Sequence, residues 1–159
     1  MIRLDRYDNA SFDRGAGRLK EAAWHLTKWL FFSTPWPFPS QLRCALLRLF
    51  GAKVGTGVVI RSRTNITFPW RLEIGDHVWI GEEVLILSLA RVRIGSHCCI
   101  SQRAFLCTGS HDFGKPSFDL IAKPISIGES SWVAACAFVG PDAHLAPGTF
   151  VKANSVVSG

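Results

Sequence analysis

Ile94 to Asp112, IGSHCCISQRAFLCTGSHD, is the stretch from which the fold is read. Its aliphatic residues recur at Ile94, Ile100 and Leu106. A six-residue metre is neither the 3.6 of a helix nor the 2 of a half-buried strand. It is the period of a parallel β-helix built from hexapeptides. The metre breaks at Thr108-Gly109-Ser110-His111-Asp112, where the chain leaves for a long irregular loop. A histidine where a coil opens is a place for chemistry.

Outward from this stretch the same metre continues in both directions. The inward aliphatics are Val54, Ile60, Ile66; Ile74, Ile80, Ile86; Ile94, Ile100, Leu106; Ile127, Val133, Val139; and Leu145, Val151, Val157. Each triplet predicts one triangular coil of three short strands, giving about five coils. Four positions after each aliphatic stands a small or β-branched residue, such as Val58, Val84, Cys98, Ala104 or Ala137, which suits a narrow interior. Trp70, in the Phe68-Pro69-Trp70 bulge, is the exception. Glycines at 55, 75, 81, 95, 128 and 140 follow the aliphatics, as a tight corner would favour. A solenoid needs covered ends. The sequence ends at Gly159, just past Val157, so a partner or a further segment is expected over that end.

Before the repeat, residues 1–17 read as a polar arm. From Arg18 to about Ser33, Leu19, Ala22, Ala23, Leu26, Trp29 and Leu30 follow helical spacing and predict an amphipathic helix. Pro35, Pro37 and Pro39 end it. Ser40 is placed to cap a second helix over Gln41–Phe50, closed by Gly51. The domain reading is an arm and helical cap over 1–53, then a β-helix over 54–159 with an excursion at 108–126. The helical pair either covers the open strand edge or offers a basic, Trp-rich surface to a membrane or partner.

A chain of 159 residues, 48% hydrophobic and 19% charged, forms a real core and is not disordered in bulk. No apolar run approaches the ~18 residues of a membrane span. Arg3, Asp5, Arg6 and Asp8 stand where a signal peptide would be apolar. Five cysteines without a CxxC suit a reducing compartment. The expected location is cytoplasmic, with peripheral contact at the inner membrane through residues 18–50. Residues 1–53 carry nine Lys/Arg against four Asp/Glu, and residues 54–159 nine against eight. The +6 net charge therefore belongs to the N-terminal segment rather than the repeat, which argues against nucleic acid as partner.

The repeat, interrupted by a loop opening on Thr-Gly-Ser-His111-Asp112, resembles the left-handed β-helix acyltransferases. YDNASF, the helical pair and ISQRAFLCTGSHDF resemble in particular the colanic-acid-biosynthesis type O-acetyltransferases. The resemblance supplies the left hand of the coil, which the metre alone does not. It implies transfer of acetyl from acetyl-CoA to a sugar hydroxyl of a surface polysaccharide or its precursor, in a homotrimer with sites between subunits. His111 stands at the family's catalytic position, and imidazole, with an ordinary pKa of ~6.5, suits a base at neutral pH. Asp112 either orients that ring, contacts the acceptor or stays solvated. For acetyl-CoA the resemblance points to Trp132 beside the cofactor arm, to Ala134, Ala135 and Ala153 under it, and to Ser158 near the nucleotide. Lys152 is a candidate for a phosphate. Where the sugar branch of the family has an acceptor-holding asparagine, this chain has Gly81 followed by Glu82 and Glu83, which either bind a sugar hydroxyl or face solvent.

Two other readings compete. His77 and His97 share an offset in consecutive coils, and with His111 they number the three ligands of a catalytic zinc, as in γ-class carbonic anhydrases. The HxxxxH pair of that class is missing, so no metal is expected. A non-catalytic β-helix scaffold would have no histidine-bearing loop.

Overall fold

The hexapeptide metre folds as five stacked coils, in a computed structural model that describes residues 2–159. The first coil is β1 (Lys53–Val54), β2 (Val59–Ile60) and β3 (Asn65–Ile66). The second is β4 (Leu72–Ile74), β5 (Trp79–Ile80) and β6 (Leu85–Leu87), and the third β7 (Val92–Ile94), β8 (Cys99–Ile100) and β9 (Phe105–Cys107). A hairpin of β10 (Gly109–His111) and β11 (Leu120–Ala122) follows. Then come β12 (Ile125–Ile127), β13 (Trp132–Val133) and β14 (Phe138–Val139), and last β15 (His144–Leu145), β16 (Phe150–Val151) and β17 (Val156–Val157). Like strands pair in parallel into three five-stranded sheets, the walls of a triangular prism.

The register joins the aliphatics the metre picked out. Ile60, Ile80, Ile100, Val133 and Val151 lie in one row through the second sheet. Ile66, Ile86, Leu106, Val139 and Val157 lie in another through the third. Most are fully buried, and the small residues Val78, Val84, Cys98, Ala104 and Ala137 fill the space between the rows.

The corner glycines are places where a Cβ has no room, as expected. The positive φ of each corner falls two residues later, on His77, Glu83 or His97. Gly75, Gly81 and Gly95 are needed because a Cβ there would stand 2.6 or 2.7 Å from a backbone nitrogen of the next coil. Coil-to-coil approach, not backbone twist, excludes a side chain.

Helices α1 (Arg18–Phe31) and α2 (Ser40–Leu49) close the first end, but with the face opposite to the one expected. Leu19, Ala22, Ala23, Leu26, Trp29 and Leu30 are all exposed, whereas Trp24 and Phe32 are buried against the coil. The reason is the edge strand. The first coil presents unpaired backbone groups, which need hydrogen-bond partners more than they need apolar cover. Trp24 Nε1 donates to the Ile66 carbonyl at 3.0 Å. Arg48 donates to the Val54 and Gly55 carbonyls. Ser40 makes no cap bond; its hydroxyl instead exchanges hydrogen bonds with the Ile60 N–H and carbonyl. Arg43, buried, donates to the carbonyls of Phe31, Trp36, Phe38 and Ile60 and so ties both helices and their connector to the coil. Among the described residues no helix is long and apolar enough to cross a membrane.

The walls differ outside. The first sheet presents Lys53, Glu73, Arg93, Ser126 and His144. The second presents Val59, Trp79, Cys99, Trp132 and Phe150, with both tryptophans and Phe150 about half exposed.

Candidate active site

The expected irregular loop is an antiparallel hairpin, with Gly109 opposite Ala122 and His111 opposite Leu120. It leaves the prism at the third corner, between the third sheet and the next coil. Asp112 turns its tip, accepting from the Gly114 N–H at 2.9 Å and lying 3.9 Å from Lys115 Nζ. That carboxylate serves the turn. The ring of His111 is held from elsewhere: its Nδ1 lies 2.9 Å from the Phe118 carbonyl, and the Phe118 ring stacks on it at 4.3 Å and 2°. A carbonyl oxygen can only accept, so Nδ1 carries the hydrogen, and in the neutral ring the lone pair is on Nε2. Phe118 reaches this pose at φ +51°, a left-handed conformation uncommon for a bulky residue and a mark of local strain.

The N-terminal arm completes the surroundings. Arg3 N–H donates to the Pro116 carbonyl on the hairpin, and Trp70 Nε1 donates to the Arg14 carbonyl at the other end. Between these pins Tyr7 meets His111 edge-on at 5.4 Å. Tyr7, Asn9, Phe12, Phe68, Leu89 and His111 thus line a cavity of about 300 Å³. Asn9, Phe12, Leu89 and Leu120 also wall a larger hollow of about 830 Å³ that carries Asp8, Asp13, Arg71, Arg91 and Asp119. Hydrogen bonds from Ser117 and Lys115 hold the Asp119 carboxyl below its ordinary range, so it faces this hollow as an anion. Tyr7, Asn9 and Phe12 lie in the arm read only as polar from the sequence. Their signal was the YDNASF string, whose place against the hairpin no local pattern reveals.

The residues assigned to the cofactor gather at the second corner, across the third sheet from His111. Trp132 is half exposed, tilts against Phe150 at 4.7 Å and donates from Nε1 to the Ser101 hydroxyl. Ala134 is buried, and Ala135 lines a hollow of about 280 Å³ with Glu82, Glu83, Gln102, Arg103 and Cys136. Lys152 and Ala153 are exposed at the same corner one coil on. Ser158 stands apart, at the third corner beside Gly140. Glu82 pairs with Arg61 at 3.2 Å, and Glu83 with Arg103 at 2.7 Å and Arg63 at 3.2 Å. Arg103, then Arg63, holds the Glu83 carboxyl below the usual range. Within one chain, therefore, the two glutamates neighbour Ala135 and not His111.

The three histidines do not converge. His77 and His97 stack at 5.3 Å on the first corner, away from His111, and among the described residues no three metal-binding side chains cluster. Cys107 donates to the Gly109 carbonyl, and burial pushes its thiol pKa up, which disfavours a thiolate.

No family model matches the chain. The chain is 42% identical over 144 residues to the protein named colanic acid biosynthesis acetyltransferase WcaF of Escherichia coli (strain K12), covering 91% of this chain and 79% of that one. It belongs to that acetyltransferase family. Nodulation protein L of Rhizobium leguminosarum bv. viciae is 30% identical over 99 residues, 60% of this chain and 52% of the relative. Among solved structures, the hexapeptide-repeat acetyltransferase VCA0836 of Vibrio cholerae, complexed with acetyl-coenzyme A, superposes with a TM-score of 0.77 at 24% identity, over 99% of this chain and 84% of that one. A maltose O-acetyltransferase of Clostridium difficile 630 gives 0.69 at 15% identity, over 90% and 84%. Both share the hexapeptide-repeat β-helix with this acetyltransferase.

Proposed function

We propose that this acetyltransferase moves the acetyl group of acetyl-CoA to a hydroxyl of a sugar in a surface polysaccharide or its membrane-bound precursor, with His111 as general base. The observation that carries the reading is the Nδ1–H bond from His111 to the Phe118 carbonyl, which leaves Nε2 free to accept a proton beside the cavity. An alcohol is a poor nucleophile at neutral pH and needs such a base within reach. Acetyl-CoA supplies the acetyl group as a thioester. Nε2 takes the hydroxyl proton as the oxygen bonds to the acetyl carbon, and the imidazolium returns that proton to the departing sulfur. The products are an O-acetyl sugar and free CoA thiol, and the histidine ends as it began.

The cavity suits a sugar. Tyr7 and Phe12 offer apolar ring surface and Asn9 a hydroxyl partner, with Asp8 in the adjoining hollow. The donor reading rests on the second corner, where Ala135 and Ala153 leave room for a narrow arm and exposed Lys152 meets a phosphate as a point charge. His111 and that corner lie on opposite edges of one sheet. They form one site only when the third corner of one copy meets the second corner of another, so the assembly we propose is a homotrimer with sites between subunits. A membrane-bound acceptor would give residues 18–50 peripheral contact with the inner membrane.

The test is release of CoA thiol from acetyl-CoA across a panel of sugars. His111→Ala should lower kcat ~10²-fold or more with an unchanged melting temperature. Equal rates would remove the base and with it this mechanism.

A further inference from the structure

The closed end of the prism presents an apolar surface that none of the described residues covers. On α1, Leu26 lies about 200° around the helix from buried Trp24 at 3.6 residues per turn, and Leu19, Ala22, Ala23, Trp29 and Leu30 gather around it. Leu19 is 89% exposed, Trp29 64% and Leu26 58%. On α2 the outward face repeats the pattern, with Leu42 36% and Leu49 76% exposed. Trp36, in the connector, adds a third edge at 66%. Exposed apolar area this concentrated marks a site of contact, because single scattered residues are the norm on soluble surfaces.

Charge identifies the occupant. Residues 18–50 hold five Lys/Arg and one acid, Glu21; Arg43 is buried and Lys28 and Arg48 bond the coil, which leaves Arg18 and Lys20 beside the outward face. Glu21 lies toward the buried side and pairs with Arg14 at 3.3 Å. The outward stripe is flanked by Arg18 and His25 on one side and by Lys20, whose ammonium lies over the Trp70 ring, on the other, with no carboxylate among them. A second copy laid on this surface would set cation against cation. An anionic lipid headgroup layer matches both features, since leucines and tryptophan enter the acyl boundary while lysine and arginine meet phosphate.

We infer that the outward face of α1 and α2 is a docking surface for an anionic lipid bilayer. The helices lie in the interfacial plane and do not span it. This deepens the peripheral-contact part of the functional reading and is independent of the acetyl-transfer chemistry, which His111→Ala tests by itself. In the proposed trimer all three caps sit at the same end, so three weak contacts act together.

The experiment is co-sedimentation of the full chain with vesicles of phosphatidylglycerol and phosphatidylethanolamine, against vesicles of phosphatidylcholine alone. The full chain should pellet with the anionic vesicles and less so as salt rises. The double variant Leu26→Glu/Leu30→Glu changes two exposed side chains, so its circular dichroism and melting temperature should match the parent, and its partition should fall at least ~10-fold. Three results would overturn the inference: a parent that stays in the supernatant at low salt, a variant that pellets equally well, or a variant whose mass by light scattering drops. The last would make the surface an interface between copies.

Discussion

Phe118 does two things for His111, and only one of them is its side chain's. Its carbonyl fixes the tautomer, and its ring covers one face of the imidazole. Phe118→Ala keeps the carbonyl and removes the ring. The expected result is a fall in kcat of roughly tenfold, from a looser imidazole, with KM for acetyl-CoA unchanged. That lies between the parent and His111→Ala, and steady-state kinetics of the three proteins would establish the order. A loss as large as that of His111→Ala would mean that the ring, not the carbonyl, sets the base. The histidine was legible in the sequence because it stands where the metre stops. Its partner was not, because a φ of +51° on a phenylalanine leaves no trace in composition or spacing. Asp112, the residue sequence proximity suggests as orienter, is drawn into the Gly114 turn instead.

At the scale of the element, the helical cap is an arrangement of donors. Arg43 is buried with four carbonyl acceptors; Met in its place would fill similar volume but leave the Phe31 and Phe38 carbonyls unpaired, while Ile60 keeps Ser40 and Trp36 keeps the Phe38 N–H. Arg43→Met should cost about 3 kcal/mol and lower the melting temperature by roughly 6 to 12 °C for a chain of this size, read by thermal circular dichroism. The period of α1 could be read from its leucines, but its orientation could not. Amphipathic patterning locates an apolar stripe; it does not record that the coil edge below requires an indole N–H. The arginine and glutamate rungs of the second corner give a further expectation. Arg103 and Arg63 depress the pKa of Glu83, so its contribution is present above the ordinary carboxylate value of ~4.3 and is lost as pH falls through the folded-state value. Glu73, held down first by Lys53, has the same sign. Acid unfolding should therefore steepen below about pH 4, and Glu83→Gln should flatten that limb in a pH series of melting curves. A parallel loss in both proteins would show that the rung contributes nothing.

At the scale of the whole molecule, the proposed mechanism requires two edges of one sheet to serve one site. The repeat made the prism legible from Val54 to Val157, row by row, because every coil obeys the same steric rule. Nothing in a single chain's sequence says which edges of two prisms meet. Within one chain His111 stands on the third corner and Ala135 on the second, with the third sheet between. If the site spans two copies, His111→Ala and Ala135→Trp are each inactive alone but damage different halves. Co-expressed, they form mixed trimers in which some sites draw an intact histidine from one copy and an intact Ala135 from its neighbour. With random mixing about a quarter of sites qualify in a closed ring of three, so thiol release should return to about a quarter of the parent rate. A site contained in one chain would recover nothing, because each chain would still carry its own lesion.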